Sequence, residues 1–435
     1  MLTQEFVFSF REAAPYINAF RGKTFVIALS GEAVAGGNLA GLAQDINLLV
    51  SLGVRVVVVH GGRPQIAALL ARNGLMPRFH DGRRITDAPT LEAVKQAQGM
   101  VRYEIEAALS MGMPNSPMHN AHLRVSSGNV LTARPLGVID GVDYFYSGQV
   151  RRIDTEAINQ RLDTGELVLI SPIGYSPTGE VFNLMMEEVA TQTASALRAE
   201  KLIFLIESRG VTGAEGQFVS TLNAHQAEDL LARNTQPVDV CAYLACAVRA
   251  VREGVPRAHL VSHREDGALL VELFTSGGNG TMVSRDPLVK VRNAGIEDIG
   301  NIIALIRPLE EQGVLVKRSR EHLEMEIDCY SVLEHDGKVY GCVAMHTFPG
   351  SDMAELACLV VSRDKRDAGF GETLLHHVEQ KARLRGMHAL FVLTTQTAHW
   401  FVERGFSPAD PSQLPPPRQR LYNTQRRSKV LIKPL

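Results

Sequence analysis

The stretch "CLVVSRDKRDAGFGETLL", Cys358–Leu375, decides how the last third of this 435-residue chain folds. It opens on an apolar run, as a strand buried on both faces requires. It closes on the start of a helix. Between them "RDAGFG", Arg366–Gly371, sets two glycines and an arginine at the strand-to-helix turn. The glycines let main-chain N–H groups point into one concavity. The helix N-terminus adds partial positive charge and Arg366 a full one, which together suit a pyrophosphate. Taken alone, Arg-x-x-Gly-x-Gly fits an ordinary loop equally well.

The flanking sequence supplies the context. Upstream lie a short strand, "LVKVRNA" (288–294), and a helix, "IEDIGNIIALIRPLEEQG" (296–313). A hairpin over 330–348 follows, with Asp336-Gly337 at its turn, and then the strand "MAELACLVVS" (353–362). Downstream come a helix to Gly386, a strand over 387–395, the helix of "AHWFVERGF" and a last strand within "LYNTQRRSKVLIKPL". "LPPPRQ", 414–419, reads as a short loop. From Val289 to Ile432 this order resembles the GNAT superfamily of N-acetyltransferases, an α+β fold with a mixed sheet. The resemblance implies acetyl-CoA as cosubstrate. Main-chain groups of Cys358, Leu359, Val360 and Val361 would line its pantetheine arm. Arg366, Asp367, Gly369, Phe370 and Gly371 would hold its diphosphate. A splayed gap beside the strand would take the thioester, where an N–H donates to the carbonyl oxygen as it gains charge.

Acetylating an amine requires a base within reach of its proton. Glu355, three residues before Cys358, is the candidate; the alternative is a solvated strand-end carboxylate. Many GNAT members carry a tyrosine acid after the last helix. Here that place reads His399-Trp400-Phe401, which leaves Thr394, Thr395 or no side chain for the task. Two basic clusters, "LVKRSREHLE" (315–324) and "YNTQRRSKV" (422–430), suit an acidic acceptor, a solvated face or the phosphate of the CoA ribose.

The first two thirds repeat strand, glycine turn and helix. "TFVIAL" (24–29), "RVVVVH" (55–60), "ELVLISPIG" (166–174) and "KLIFLIESRGV" (201–211) are buried strands. "GLAQDINLLVSLG" and "EEVATQTASALRAE" are helices between them, so a mostly parallel sheet with helices on both faces is expected. The Gly- and Ser-rich tract before Arg285 divides the chain into 1–285 and 286–435. The first part resembles the amino-acid-kinase fold, an α/β three-layer domain. That family reads Lys-Tyr-Gly-Gly after its first strand; this chain has Ala28 where the lysine belongs. Lys23 lies about 16 Å upstream along an extended strand. The family's His-Gly-Gly-Gly-Pro becomes "HGGRP" with Arg63, and its Asn-x-Asn-x-Asp becomes "NLMME" with Met185 and Glu187. Phosphoryl transfer depends on positioned positive charge, so the domain is expected to lack kinase activity.

The whole chain resembles the bacterial N-acetylglutamate synthase family. That resemblance implies L-glutamate as acceptor, with Leu315, Lys317, Arg426 and Ser428 in its pocket. Lys317 stands where the family often has arginine. It also implies feedback inhibition by L-arginine of the first step of arginine biosynthesis. The effector site would use Tyr16 of an N-terminal helix (Phe6, Phe10, Ala13, Ile17, Phe20), Lys201, Glu272, Ser276, Gly277 and Gly278. A homo-oligomer, a hexamer by resemblance, is expected. The rival readings are an active N-acetylglutamate kinase with a GNAT appendage, an arginine-binding regulator without activity, and a GNAT acting on another amine.

Bulk properties exclude other classes. The composition is 45% hydrophobic and 21% charged with a formal net charge of −2, so nothing points to nucleic acid. Five cysteines without CxxC spacing read as reduced thiols rather than a metal site. No signal peptide or membrane span is apparent, so a cytoplasmic location is expected.

Overall fold

A computed structural model of the chain describes residues 2–213, 216–233, 236–275, 277–285, 289–335, 338–363, 369–422 and 428–435. They fall into two compact units, Met1–Asp286 and Pro287–Leu435.

The apolar runs of the first unit become the centre of an eight-stranded sheet. Its order is 221–223, 281–284, 257–262, 201–206, 24–29, 55–60, 167–170 and 125–126. Neighbours run parallel except Arg257–Ser262 against Thr281–Ser284. Alternation sorts each strand between two cores. Phe25, Ile27 and Leu29 join Val56, Val58, Ile203 and Leu205 beneath Leu42, Ile46 and Leu49 of helix Leu39–Ser51. Val26 and Ala28 join Val57, Val59, Leu202 and Phe204 beneath helices Met186–Ala196 and Val238–Arg252. Both faces are covered, which is why these strands are apolar at every position.

Some expected elements divide. The run 166–174 gives two strands in different sheets. Leu167–Ile170 stays in the large sheet, while Ile173–Tyr175 joins a smaller one with 131–135, 148–153 and 181–183. Pro172 between them has no N–H to continue a ladder. The run 201–211 likewise ends its first strand at Ile206, and Val211–Thr212 pairs with Phe218–Val219. Glu272 lies on a helix, Ala268–Phe274.

The second unit is a seven-stranded sheet ordered 289–293, 330–335, 338–347, 353–361, 389–394, 429–434 and 407–409. One pair is parallel, Met353–Val361 with Ala389–Thr394, and the others are antiparallel. Helices Ile299–Glu311 and Arg320–Met325 cover one face through Ile299, Ile302, Ile306 and Leu323. Helix Phe370–Leu384 covers the other through Leu374, Leu375, Val378 and Ala382. The Asp336-Gly337 turn lies outside the described residues. The expected loop 414–419 contains a short helix, Pro416–Arg420. Among the described residues no helix is long and apolar enough to cross a membrane.

Candidate active and effector sites

The second unit's site is built on the parallel pair. Met353–Leu356 register with Ala389–Val392, and the pairing stops there although strand 353–361 continues to Val361. On its other edge the register slips: Cys342 faces Val360 while Ala344 faces Ala357. One extra residue therefore sits between Ala357 and Val360, a β-bulge. Cys358 takes the turn with φ +52°, a left-handed conformation that is rare for a side chain bearing a Cβ. A bulge bends its strand, and beyond Leu356 the strand's parallel edge, at Cys358–Val361, has no strand partner among the described residues. The Cys358 side chain turns away, into the core with Ile302, Ile306 and Cys342. A hydrogen bond from the Cys342 thiol, helped by the Arg318 charge, holds the Cys358 thiol below its usual range.

One pair before the parallel pairing ends sits Glu355, buried and gripped by Arg418 from helix 416–420. Nε donates to one carboxylate oxygen at 2.7 Å and Nη2 to the other at 3.0 Å. His346 stands opposite Glu355 on the next strand, and burial holds its pKa below the usual histidine value. Thr394 ends the parallel strand; its hydroxyl meets the Thr397 hydroxyl at 2.9 Å and accepts the Thr397 N–H. Gly369 caps helix 370–384 with φ +74°, where glycine avoids strain. A Cβ on Gly371 would lie 3.3 Å from Trp400, so this glycine also lets the helix start approach the indole. Arg366 and Asp367 lie outside the described residues, as does Arg426.

Leu315 is half-buried against the Cys358 cluster. Lys317 is exposed, and the neighbouring Arg318 turns inward instead, its charge felt at Cys358 and Tyr330. Ser428 is half-buried at the start of the last strand, its carbonyl accepting from the Tyr422 hydroxyl at 2.7 Å. Arg418, His346 and Arg318 were not singled out by sequence. They lack a motif, and only the fold brings them beside Glu355 and Cys358.

In the first unit, Ser30, Gly31, Gly61, Gly62, Arg63 and Glu187 line an open cleft. A Cβ on Gly31 would lie 2.9 Å from Gly62 Cα, so the two glycine turns pack directly on each other. Ala28 is fully buried in the sheet core. Arg63 and Glu187, both departures from the kinase pattern, meet: Nη2 lies 2.8 Å from Oε1. The Arg63 charge is thus balanced by a side chain of the protein itself, and Arg83, a second arginine of the lining, is paired with Glu188; Arg84 also lines the cleft.

A second polar cluster lies under the N-terminal helix Leu2–Phe20. Glu272 Oε2 accepts the N–H groups of Asn279 and Gly280, each at 2.7 Å, and Oε1 lies 2.6 Å from His259 Nδ1. The other ring nitrogen lies 3.2 Å from Lys201 Nζ, which stands 5.1 Å from the Phe20 ring centre. Burial lowers the His259 pKa to about 4 and the Lys201 charge adds to this, so the ring is neutral at pH 7. It then donates from Nδ1 to Glu272 and accepts from Lys201. Gly278 has φ +60°, and a Cβ there would lie 2.5 Å from Glu272 Oε2; only glycine lets this loop close on the carboxylate. Gly277 is exposed beside it, Tyr16 packs on Phe20, and Ser276 lies outside the described residues.

Comparison with known proteins follows the same division. Residues 23–262 match the amino acid kinase family and residues 300–406 the acetyltransferase (GNAT) family. The amino-acid acetyltransferase of Serratia proteamaculans is 51% identical over 98% of both chains. That of Ectopseudomonas mendocina is 52% identical, covering 99% of this chain and 100% of its own. The chain belongs to the amino-acid acetyltransferase family. It is an acyltransferase, with an amino-acid-kinase fold ahead of a GNAT fold as the sequence implies. Among solved structures, this amino-acid acetyltransferase is similar to N-acetylglutamate synthase from Neisseria gonorrhoeae complexed with coenzyme A and L-arginine. That match has TM-score 0.92 and 42% identity over 99% of both chains. The same enzyme complexed with coenzyme A and N-acetyl-glutamate gives TM-score 0.64 and 43% identity, again over 99% of both.

Proposed function

We propose that the chain transfers the acetyl group of acetyl-CoA to L-glutamate, giving N-acetyl-L-glutamate and CoA by direct attack. The observation that carries this reading is the end of the parallel pairing: a bulged strand whose last pair, Leu356 with Val392, lies one pair beyond the buried carboxylate of Glu355. The thioester lies in the gap with its carbonyl oxygen against a main-chain N–H of the bulge. Glu355 takes a proton from the acceptor ammonium. The nitrogen lone pair then forms the C–N bond and the C–S bond breaks. As the amide forms, the nitrogen gives up its second proton, which passes through the Thr394 hydroxyl or water to the thiolate, leaving CoA as the free thiol. The family resemblance gives Leu315, Lys317, Arg426 and Ser428 to the acceptor and residues 366–371 to the diphosphate; of these, 366–368 and Arg426 lie outside the described residues. A panel of amino acids, scored by release of free thiol from acetyl-CoA, tests the acceptor; preference for any other amine over L-glutamate overturns it.

The reaction needs no acyl-enzyme. Cys358 contributes its main chain, and its thiol lies in the core beneath Ile302 and Ile306. Cys358→Ala is expected to retain at least a tenth of wild-type kcat. Loss of activity with CoA binding intact would restore a covalent route.

The first unit serves as an L-arginine sensor without kinase activity. Positive charge is absent at Ala28, and that of Arg63 is matched by Glu187. Incubation with ATP and N-acetyl-L-glutamate is expected to release no ADP above background. Arginine binds at the Glu272 cluster, its guanidinium sharing the carboxylate with His259. The enzyme acts in the cytoplasm as a homo-oligomer; exposed Phe6, Phe8 and Phe10 on the N-terminal helix suit a contact with a second copy.

A further inference from the structure

The grip of Arg418 on Glu355 bears on how the acceptor is chosen. The two side chains are only 21% and 10% exposed, so water does little to screen them. A guanidinium has five N–H donors. Two of those on Arg418 go to the Glu355 carboxylate and one, from Nη1, to the Leu421 carbonyl at 3.3 Å. Among the described residues the other two, one on each Nη atom, have no partner. The helix that carries Arg418 leads directly into 421–428, the segment that ends at Ser428. The sequence gives no sign of this pairing, because 63 residues separate the partners.

The geometry of an α-amino acid does the rest. An amine handing its proton to Glu355 lies about 3 Å from the carboxylate. The amino acid's own α-carboxylate oxygen is about 3 Å from that amine, fixed by bond lengths. Arg418 is already hydrogen-bonded to the same Glu355 oxygens. The acceptor α-carboxylate therefore falls within reach of the two free N–H groups, and four charges alternate around a ring: Arg418, Glu355, ammonium, α-carboxylate. We propose that Arg418 is a specificity-determining residue that receives the acceptor's α-carboxylate while holding Glu355 in place. This rests on Glu355 being the base. It separates α-amino acids from simple amines and leaves the rest of the pocket to the side-chain carboxylate.

The test compares three acceptors in full-length protein: L-glutamate, L-isoglutamine, whose α-carboxylate is an amide, and L-glutamine, whose side-chain carboxylate is one. Removing one partner of a part-buried charge pair costs about 2–5 kcal/mol, or roughly 30- to 5,000-fold. Arg418→Gln is expected to lower kcat/KM for L-glutamate by about 100-fold or more, with a much smaller loss for L-isoglutamine. The glutamate-to-isoglutamine ratio then collapses at least tenfold. The glutamate-to-glutamine ratio and the KM for acetyl-CoA stay within a factor of three. Arg418→Lys, which keeps charge without the fork, is expected to restore part of the first ratio. A purely structural role would lower all acceptors alike, and an unchanged glutamate-to-isoglutamine ratio overturns the proposal. If the Gln variant fails to fold, the Lys variant decides: a fivefold fall supports the proposal and no change overturns it. Glu355→Gln tests the underlying reading separately, since it should depress kcat for all three acceptors. A normal kcat there sinks the base assignment, whereas the Arg418 ratios report the carboxylate contact directly.

Discussion

Glu355→Gln is expected to lower kcat for acetyl transfer by about 10²- to 10⁴-fold, the range general bases contribute. CoA affinity should change less than threefold. The glutamine side chain keeps the size of glutamate but accepts no proton from an ammonium. It also withdraws the partner of Arg418, leaving a part-buried guanidinium without its counter-charge. A stability loss of about 1–3 kcal/mol should accompany the kinetic loss. The two effects separate experimentally: thiol release under saturating substrates gives kcat, calorimetric titration with CoA gives cofactor affinity, and thermal melting gives stability. The groups on strand 353–361 proposed to bind the cofactor are main-chain atoms at and after the bulge, so the substitution is expected to leave them unaltered. Turnover within fivefold of wild type would remove Glu355 as the base. His346 would then be the next candidate, because it faces Glu355 across the strand pair and burial holds its pKa below the usual histidine value.

Much of this architecture was legible in the sequence because its signals are local. A strand covered on both faces must be apolar at every position, and Val56–Val59 or Leu202–Ile206 say so directly. The strand-to-helix turn needs glycine for a positive φ at Gly369 and for close approach to Trp400 at Gly371, and both glycines stand in the sequence. What stayed hidden depends on partners far apart in the chain. Arg63 and Glu187 each read as a defect in a phosphate cradle, but that they cancel each other is visible only once the sheet brings their loops together. Arg418 lies in a proline-rich stretch that reads as a plain connection; three prolines in fact lead into a helical turn that aims the guanidinium at Glu355. His259 sits inside an apolar strand, where an isolated histidine carries no motif, and its role emerges from Glu272 and Lys201 on either side. Lys317 and Arg318 show a related limit. Sequence ranks adjacent cations by position in a motif, but the loop's path decides which one turns inward.

The other large effect is expected at the effector cluster. Glu272→Gln should weaken L-arginine binding by about 30-fold or more, the loss that follows when one member of a buried, hydrogen-bonded charge pair is neutralised. Uninhibited kcat should stay within twofold, since Glu272 belongs to the first unit and every residue assigned to acetyl transfer belongs to the second. The carboxylate is well prepared for a cation. Asn279 and Gly280 each donate a main-chain N–H to Oε2, and His259 donates to Oε1, so its orientation is fixed before any ligand arrives. About one acceptor position of the four on a carboxylate is then left, and a guanidinium must share Glu272 with the ring. His259→Asn keeps a short polar donor and should weaken arginine less than Glu272→Gln does. Gly278→Ala should act through shape, since its Cβ would strike the carboxylate and the positive φ would be strained. If arginine inhibits by favouring one state of the enzyme, linkage is reciprocal: saturating acetyl-CoA and L-glutamate must weaken arginine by the factor with which arginine weakens them. Calorimetric titration of arginine with and without CoA and L-glutamate measures that factor. Unchanged arginine affinity in Glu272→Gln would move the effector site elsewhere. Equal affinities with and without substrates in the wild type would leave the cluster a binding site with no regulatory consequence.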